Sequence, residues 1–143
     1  MIGILLLSHG RMAEGMLDTC KLFFGEDVAQ IKAICLRADN APEEFDEWLK
    51  QGIEEVDDGH GVIALCDLLF GTPCNRCMYV LNDRVQVITG MNLSLLLELL
   101  GKRMMTNDND EPIDISELDL EGLINTGKEG IVSLNQKVKE MMG

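Results

Sequence analysis

Two side chains suited to nucleophilic chemistry, His9 and Asp67, each stand at the end of a short apolar run. A neutral imidazole can act as a base, a nucleophile or a metal ligand near physiological pH. A carboxylate that accepts a hydrogen bond from one ring nitrogen fixes the tautomer and stabilises positive charge on the ring. The other ring nitrogen then keeps a free lone pair. If the fold brings the two residues together, we expect His9 to be a nucleophile that Asp67 orients.

Apolar and amphipathic segments alternate along the chain and predict the elements that would position these residues. The run Ile2–Leu7 is Ile or Leu except at Gly3, which is typical of a strand buried on both faces of a parallel sheet. We predict three further strands, at 30–36, 62–66 and 85–88, and helices ending at Gly25, Val56, about Leu81 and Met104. This pattern predicts a doubly wound α/β fold with a mostly parallel four-stranded sheet of order 2-1-3-4 and helices on both faces.

In that strand order, the first and third strands are neighbours at the point where ligands bind in such sheets. His9 and Asp67 should therefore lie in adjacent loops at the carboxyl edge. Two helices should begin at the same edge, one near Arg11 and one at Thr72, with Thr72 as its N-cap and Pro73 in its first turn. Their unpaired N–H groups would favour an anion, and we predict that Gly10, Arg11, Gly71 and Thr72 bind a phosphoryl group.

The C-terminal segment carries an expectation about assembly. A polar connection at 106–112 precedes a helix predicted from Ser116, and Ile131–Leu134 is predicted to be a short antiparallel strand at the sheet edge. Exchange of such a strand between two copies would cover an exposed edge in a homodimer. Folding back on its own chain, or a continuous helix from Ser116, are the alternatives. We expect residues 1–143 to form one domain.

Composition restricts the classes of partner. The net charge of −13, from 12 Lys and Arg against 25 Asp and Glu, argues against nucleic acid and favours a partner with a basic face. No apolar run reaches the length of about 20 residues that a membrane span needs, and no signal peptide follows Met1. The five cysteines lie mostly in apolar patterns, which is typical of reduced thiols in the cytoplasm.

Several motifs taken together resemble the enzyme IIA domain of the mannose family of the bacterial sugar phosphotransferase system. The resemblance covers nearly the whole chain and rests on Leu6–Gly10 with Ala13-Glu14-Gly15, on Cys66-Asp67 with Gly71–Asn75, on Ile88–Asn92 and on Thr126–Gly130. It implies that Nε2 of His9 accepts a phosphoryl group from the phosphocarrier protein HPr and passes it to an enzyme IIB, while Asp67 holds Nδ1.

The same resemblance implies a cytoplasmic phosphotransferase that needs no cofactor or metal and forms a dimer by exchanging its last strand. Membrane subunits would bind the sugar, so contact with them would be indirect. Because the chain stops at Gly143, we expect enzyme IIB to be a separate polypeptide. The apolar stretch Leu68-Leu69-Phe70 differs from the small and Trp-containing residues of some relatives and bears on how partners fit.

Other functions remain open from the residues alone. Cys74 and Cys77 form a C-x-x-C pair at a helix start, which suits thiol redox chemistry, although two helical cysteines also serve as small core residues. A zinc site would need about four ligands, and His60 lies in a turn before the third strand. A flavodoxin-like module would bind phosphate at Ser8–Gly15, but no glycine-rich nucleotide motif is present. The phosphoryl-donor subunit of a dihydroxyacetone kinase is the nearest alternative within the resemblance.

Overall fold

In the computed structural model, which describes residues 1–143, four strands alternate with helices from the first residues onward. The strands are β1 (Gly3–His9), β2 (Ile31–Leu36), β3 (Val62–Cys66) and β4 (Val85–Thr89). The helices are α1 (Met12–Phe24), α2 (Pro42–Val56), α3 (Thr72–Arg76), α4 (Leu93–Arg103), α5 (Leu120–Glu129) and α6 (Leu134–Met142), with 3₁₀ turns at Cys77–Tyr79 and Ile115–Glu117. The predicted alternation is confirmed.

All four strands are parallel and lie in the order β2-β1-β3-β4. Every residue of β1 except His9 is buried, as expected for a strand covered on both faces. Alternate side chains point to opposite faces, so Ile4 and Leu6 join a core with α1, α4 and α5. Leu5 and Leu7 join a second core with α2 and the segment after α3. The predicted doubly wound sheet is confirmed.

Two helices differ from their predicted bounds. The helix predicted from Thr72 to about Leu81 ends at Arg76 and continues only as a 3₁₀ turn, and its N-cap is Gly71 rather than Thr72. The helix predicted from Ser116 begins at Leu120 instead. Asp119 caps it by accepting a hydrogen bond from the Gly122 N–H. The 3₁₀ turn that precedes this cap ends at Glu117. None of the helices combines the length and the hydrophobicity that crossing a bilayer requires.

The predicted C-terminal edge strand does not form in the structure. Ile131 and Val132 are irregular, and Ser133 caps α6 by accepting a hydrogen bond from the Gln136 N–H at 3.2 Å. Three residues after Gly130 find no strand partner here, whereas the capped segment that follows can satisfy its own backbone as a helix. All residues from Lys128 to Gly143 are exposed, so α6 packs against no core.

Candidate functional site

His9 and Asp67 meet at the carboxyl edge of the sheet, as the strand order predicts. His9 is the last residue of β1, and Asp67 follows β3 directly. The Asp67 N–H donates to the Leu7 carbonyl at 3.1 Å, which extends the pairing of β1 with β3 by one residue. Nδ1 of His9 then lies 2.8 Å from Oδ2 of Asp67. The structure therefore forms the imidazole–carboxylate contact that the sequence predicts.

The same carboxylate oxygen also fixes the backbone of His9. The His9 N–H donates to Oδ2 of Asp67 at 2.8 Å, so one oxygen accepts from both the main chain and the ring of His9. An ionised carboxylate can only accept, and Nδ1 must therefore carry the ring proton. Nε2 is left as an acceptor and hydrogen-bonds to no protein atom, while 46% of the His9 side chain is exposed. The lone pair of Nε2 is free to react.

Asp67 itself is poorly solvated. Its side chain is only 10% exposed, and its second oxygen, Oδ1, is buried with no hydrogen-bond partner. A carboxylate in such surroundings is screened less by water than one at the surface. Its negative charge lies next to the imidazole and can offset positive charge that develops there during a reaction.

Ser8 holds the turn between His9 and α1. Its buried hydroxyl accepts a hydrogen bond from the Ala13 N–H at 2.8 Å and donates to the Gly10 carbonyl at 3.1 Å. Gly10 has a φ of +56°, a conformation that favours glycine, and its N–H donates to the Leu36 carbonyl at 2.8 Å. The Gly10 N–H is thus already paired, and the turn brings the start of α1 close to His9.

Gly71 and Thr72 lie on the other side of the imidazole. A Cβ on Gly71 would lie 2.5 Å from Cε1 and 3.2 Å from Nε2 of His9, so the ring packs directly on this glycine. The Gly71 N–H donates to the Leu68 carbonyl at 3.3 Å. Gly71 therefore contributes space for the ring rather than a free N–H, and Thr72 contributes the hydroxyl that borders the same cleft.

An open cleft of about 470 Å³ lies in front of His9. Besides Gly10 and Thr72 it is lined by residues from the β2–α2 connection, among them Arg37 and Asn40. Arg37 was not predicted from the sequence. Its place could have been inferred from the strand order, because β2 lies beside β1 and Leu36 is paired with His9.

Two arginines near this cleft share one carboxylate. Glu14 accepts from the Arg37 guanidinium at 3.2 Å and from Nε of Arg11 at 3.4 Å. The Arg11 side chain is 80% exposed and hydrogen-bonds to Glu14 rather than to His9, so its predicted contribution to phosphate binding would come through its backbone or a rearranged side chain. In a chain with a net charge of −13, these two guanidinium groups place positive charge near His9, although both are paired with Glu14.

The remaining histidine and the C-x-x-C cysteines lie outside this arrangement. His60 precedes β3 at the opposite edge of the sheet, where Nδ1 contacts Oδ1 of Asp58 at 2.6 Å. Cys74 and Cys77 are free thiols. No group of three or more His, Cys, Asp or Glu side chains is arranged to hold a metal ion. Of the two histidines, His9 is the one at the carboxyl edge, where it contacts Asp67.

Comparisons with known proteins agree on one family. Residues 3–116 match the family model EIIA-man, described as the PTS system fructose IIA component. The chain is 30% identical over 142 residues to the PTS system mannose-specific EIIAB component of Escherichia coli (strain K12), covering 97% of this chain but only 41% of that protein. It is 27% identical to the PTS system fructose-specific EIIA component of Bacillus subtilis (strain 168), covering 72% of this chain and 71% of that protein.

A solved structure gives the same result for the fold. The PTS IIA protein associated with the fucose utilization operon from Streptococcus pneumoniae superposes with a TM-score of 0.79. It is 28% identical in sequence, and the match covers 95% of both chains. The family-model match over residues 3–116 includes His9 and Asp67.

Proposed function

The chain belongs to the EIIA-man family of sugar phosphotransferase system components, and we propose that it carries a phosphoryl group on Nε2 of His9. The phosphoryl group comes from phosphorylated HPr and passes to an enzyme IIB in the cytoplasm, and residues 1–143 act as one domain. The observation that carries this proposal is the 2.8 Å contact between Nδ1 of His9 and Oδ2 of Asp67. It leaves Nε2 as the nucleophile.

In the proposed transfer, His9 is the nucleophile and Asp67 offsets the positive charge that develops on its ring. The Nε2 lone pair attacks phosphorus, the bond from phosphorus to the HPr side chain breaks, and the bonding electrons leave with HPr. Positive charge develops on the imidazole as the new bond forms. The buried carboxylate of Asp67 offsets that charge without reorganisation, because it is already in place. Transfer to enzyme IIB is the same step in reverse on a new acceptor.

Phosphoryl oxygens would be held by groups around the cleft. The free N–H groups in the first turn of α1, which follows Gly10 and Arg11, favour an anion. The Thr72 hydroxyl can donate from the opposite side. Gly71 keeps Nε2 accessible, because any side chain there would displace the ring.

The proposal is tested by incubating the protein with HPr that carries labelled phosphate and mapping the modified residue by mass spectrometry under non-acidic conditions. Label on His9 alone is the expected result. Subsequent addition of an enzyme IIB should remove the label from His9. Label on any other residue, or no label while the HPr stays phosphorylated, would contradict the proposed function.

The loop between Asp67 and Gly71 supplies an apolar surface for docking. Leu68, Leu69 and Phe70 are all exposed, and Phe70 is 79% exposed with a φ of +65°. A bulky residue rarely adopts this left-handed conformation, and such outliers cluster at functional sites and ligand-binding segments. We propose that HPr covers this loop while its phosphoryl group reaches His9.

Replacing Phe70 with asparagine should weaken docking while sparing the chemistry. Asparagine tolerates the left-handed conformation, so the loop should keep its shape. Loss of a buried aromatic contact of about 1.5 kcal/mol or more should raise KM for phosphorylated HPr roughly tenfold with kcat little changed. Phe23→Asn removes an exposed phenyl ring from the far end of α1 and is the matched control. Equal KM values for the two variants would show that the loop does not dock HPr.

We also propose that the C-terminal segment joins two copies of the chain. Leu134, Val138 and Met141 lie on one face of α6, and all three are exposed. β4 is an edge strand, and a groove of about 190 Å³ beside it is lined by nine residues, of which four are apolar, among them Ile88 and Ile124. A second copy would cover both the edge and the unpacked tail.

Removal of residues from Gly130 onward should convert the dimer into a monomer, as measured by light scattering at micromolar concentration. A charge on the apolar face of α6, Leu134→Glu, should have the same effect. Gln136→Glu makes the same change of charge on the opposite face and should leave the dimer intact. An intact protein that is monomeric under these conditions would contradict this assembly.

A further inference from the structure

Two buried cysteines meet beneath the site. Cys66 is the last residue of β3, Cys77 follows α3 directly, and their sulfurs lie 3.8 Å apart. Both residues are buried, and Cys77 also donates to the Pro73 carbonyl at 3.3 Å. Cys74, the other half of the C-x-x-C pair, makes no sulfur–sulfur hydrogen bond. The structure thus pairs Cys77 with Cys66 rather than with its neighbour in the motif.

The segment between these two sulfurs carries half of the site. It contains Asp67, which is bonded covalently to Cys66, and Gly71, on which the imidazole of His9 packs. A link between the sulfurs would close this segment into a ring. A change at the pair would therefore act on both groups that hold the imidazole.

We propose that Cys66 and Cys77 form a reversible disulfide that slows phosphoryl acceptance by His9. A disulfide needs its sulfurs about 2 Å apart, so they must approach by nearly half of the present distance. The core around them is close-packed, whereas the 3₁₀ turn after α3 is short and bears the exposed side chains of Met78 and Tyr79. That turn is the part able to move, and it takes α3 and Gly71 with it.

The oxidant is a hydroperoxide such as hydrogen peroxide. Cys77 begins the 3₁₀ turn that is able to move and therefore meets the oxidant first, whereas the hydrogen bond to Cys77 and burial raise the pKa of Cys66. The Cys77 thiolate attacks a peroxide oxygen, the O–O bond breaks, and water forms with the released proton. The Cys66 sulfur then attacks the Cys77 sulfenic acid, and the hydroxyl leaves as water with the Cys66 proton. A dithiol restores both thiols by exchange.

Peptide mapping after treatment with hydrogen peroxide and alkylation tests the first part of the proposal. A disulfide between Cys66 and Cys77 is the expected product, both in the wild-type protein and in Cys74→Ser. A Cys74–Cys77 disulfide, or oxidation confined to other residues, would overturn the proposal. This readout does not depend on the proposed function.

The second part rests on the proposed function and is measured with phosphorylated HPr. Oxidised protein should accept phosphate at least tenfold more slowly, dithiothreitol should restore the rate, and Cys77→Ala should not respond to peroxide. The NMR signals of the His9 ring should shift on oxidation, which separates this effect from a failure of HPr to act as donor. A protein that carries the Cys66–Cys77 disulfide yet shows unchanged ring signals and an unchanged rate would overturn the proposed coupling.

Discussion

Phosphoryl transfer from HPr is expected to disappear entirely when His9 is replaced by alanine. Nε2 of His9 is the one ring nitrogen at this edge with a free lone pair, and Asp67 commits Nδ1 to donation. Without His9 no imidazole remains at the carboxyl edge of the sheet, since His60 lies at the opposite edge. The measurement is transfer of labelled phosphate from HPr, which should fall to the background of the assay.

His60→Ala is the matched control for this variant. It removes the other imidazole of the chain, which contacts Asp58 at the amino edge of the sheet and cannot reach the cleft. This variant should accept phosphate at the wild-type rate. Label that appears on His9→Ala would contradict the assignment of His9, since the alanine variant keeps the backbone and Asp67 but has no ring.

The meeting of His9 with Asp67 could be predicted because it follows from strand order. Val62–Cys66 and the run before His9 are short, apolar and bounded by polar turns, so both read as buried parallel strands. Right-handed crossovers then leave few sheet orders. Once β1 and β3 are neighbours, the residues at their carboxyl ends must be neighbours too. The apolar pattern of the strands, together with the handedness of their connections, was sufficient for this part of the site.

The details around the ring could not be predicted, since they depend on distances rather than on patterns. The contact of Gly71 with Cε1 of His9 depends on how the loop after β3 is positioned relative to the loop after β1. Pairing of Cys77 with Cys66 likewise depends on how α3 lies over β3. The C-terminal strand predicted at Ile131–Leu134 is not formed in the single chain, for a different reason. Its residues are compatible with a strand and also with the segment that leads into a helix. Ser133 caps α6, which stabilises the helix that begins at Leu134.

Asp67→Asn is expected to lower kcat for phosphoryl acceptance on the order of 10²-fold or more while the ring keeps its orientation. Oδ2 accepts from both the N–H and Nδ1 of His9, and the fixed backbone donor forces the amide oxygen, not the NH₂, into that position. The tautomer should therefore survive, while the negative charge that offsets the developing imidazolium is lost.

The amide nitrogen of this Asp67→Asn variant would then take the place of Oδ1, which is already buried without a partner, so one unpaired polar atom replaces another and we expect the free energy of unfolding to change little. Stopped-flow transfer from labelled HPr measures the rate, chemical denaturation measures the stability, and ¹⁵N NMR of the ring reports the tautomer. Asp58→Asn makes the same substitution at the His60 contact and should leave kcat unchanged. A wild-type kcat in Asp67→Asn would show that the charge of Asp67 does not assist transfer.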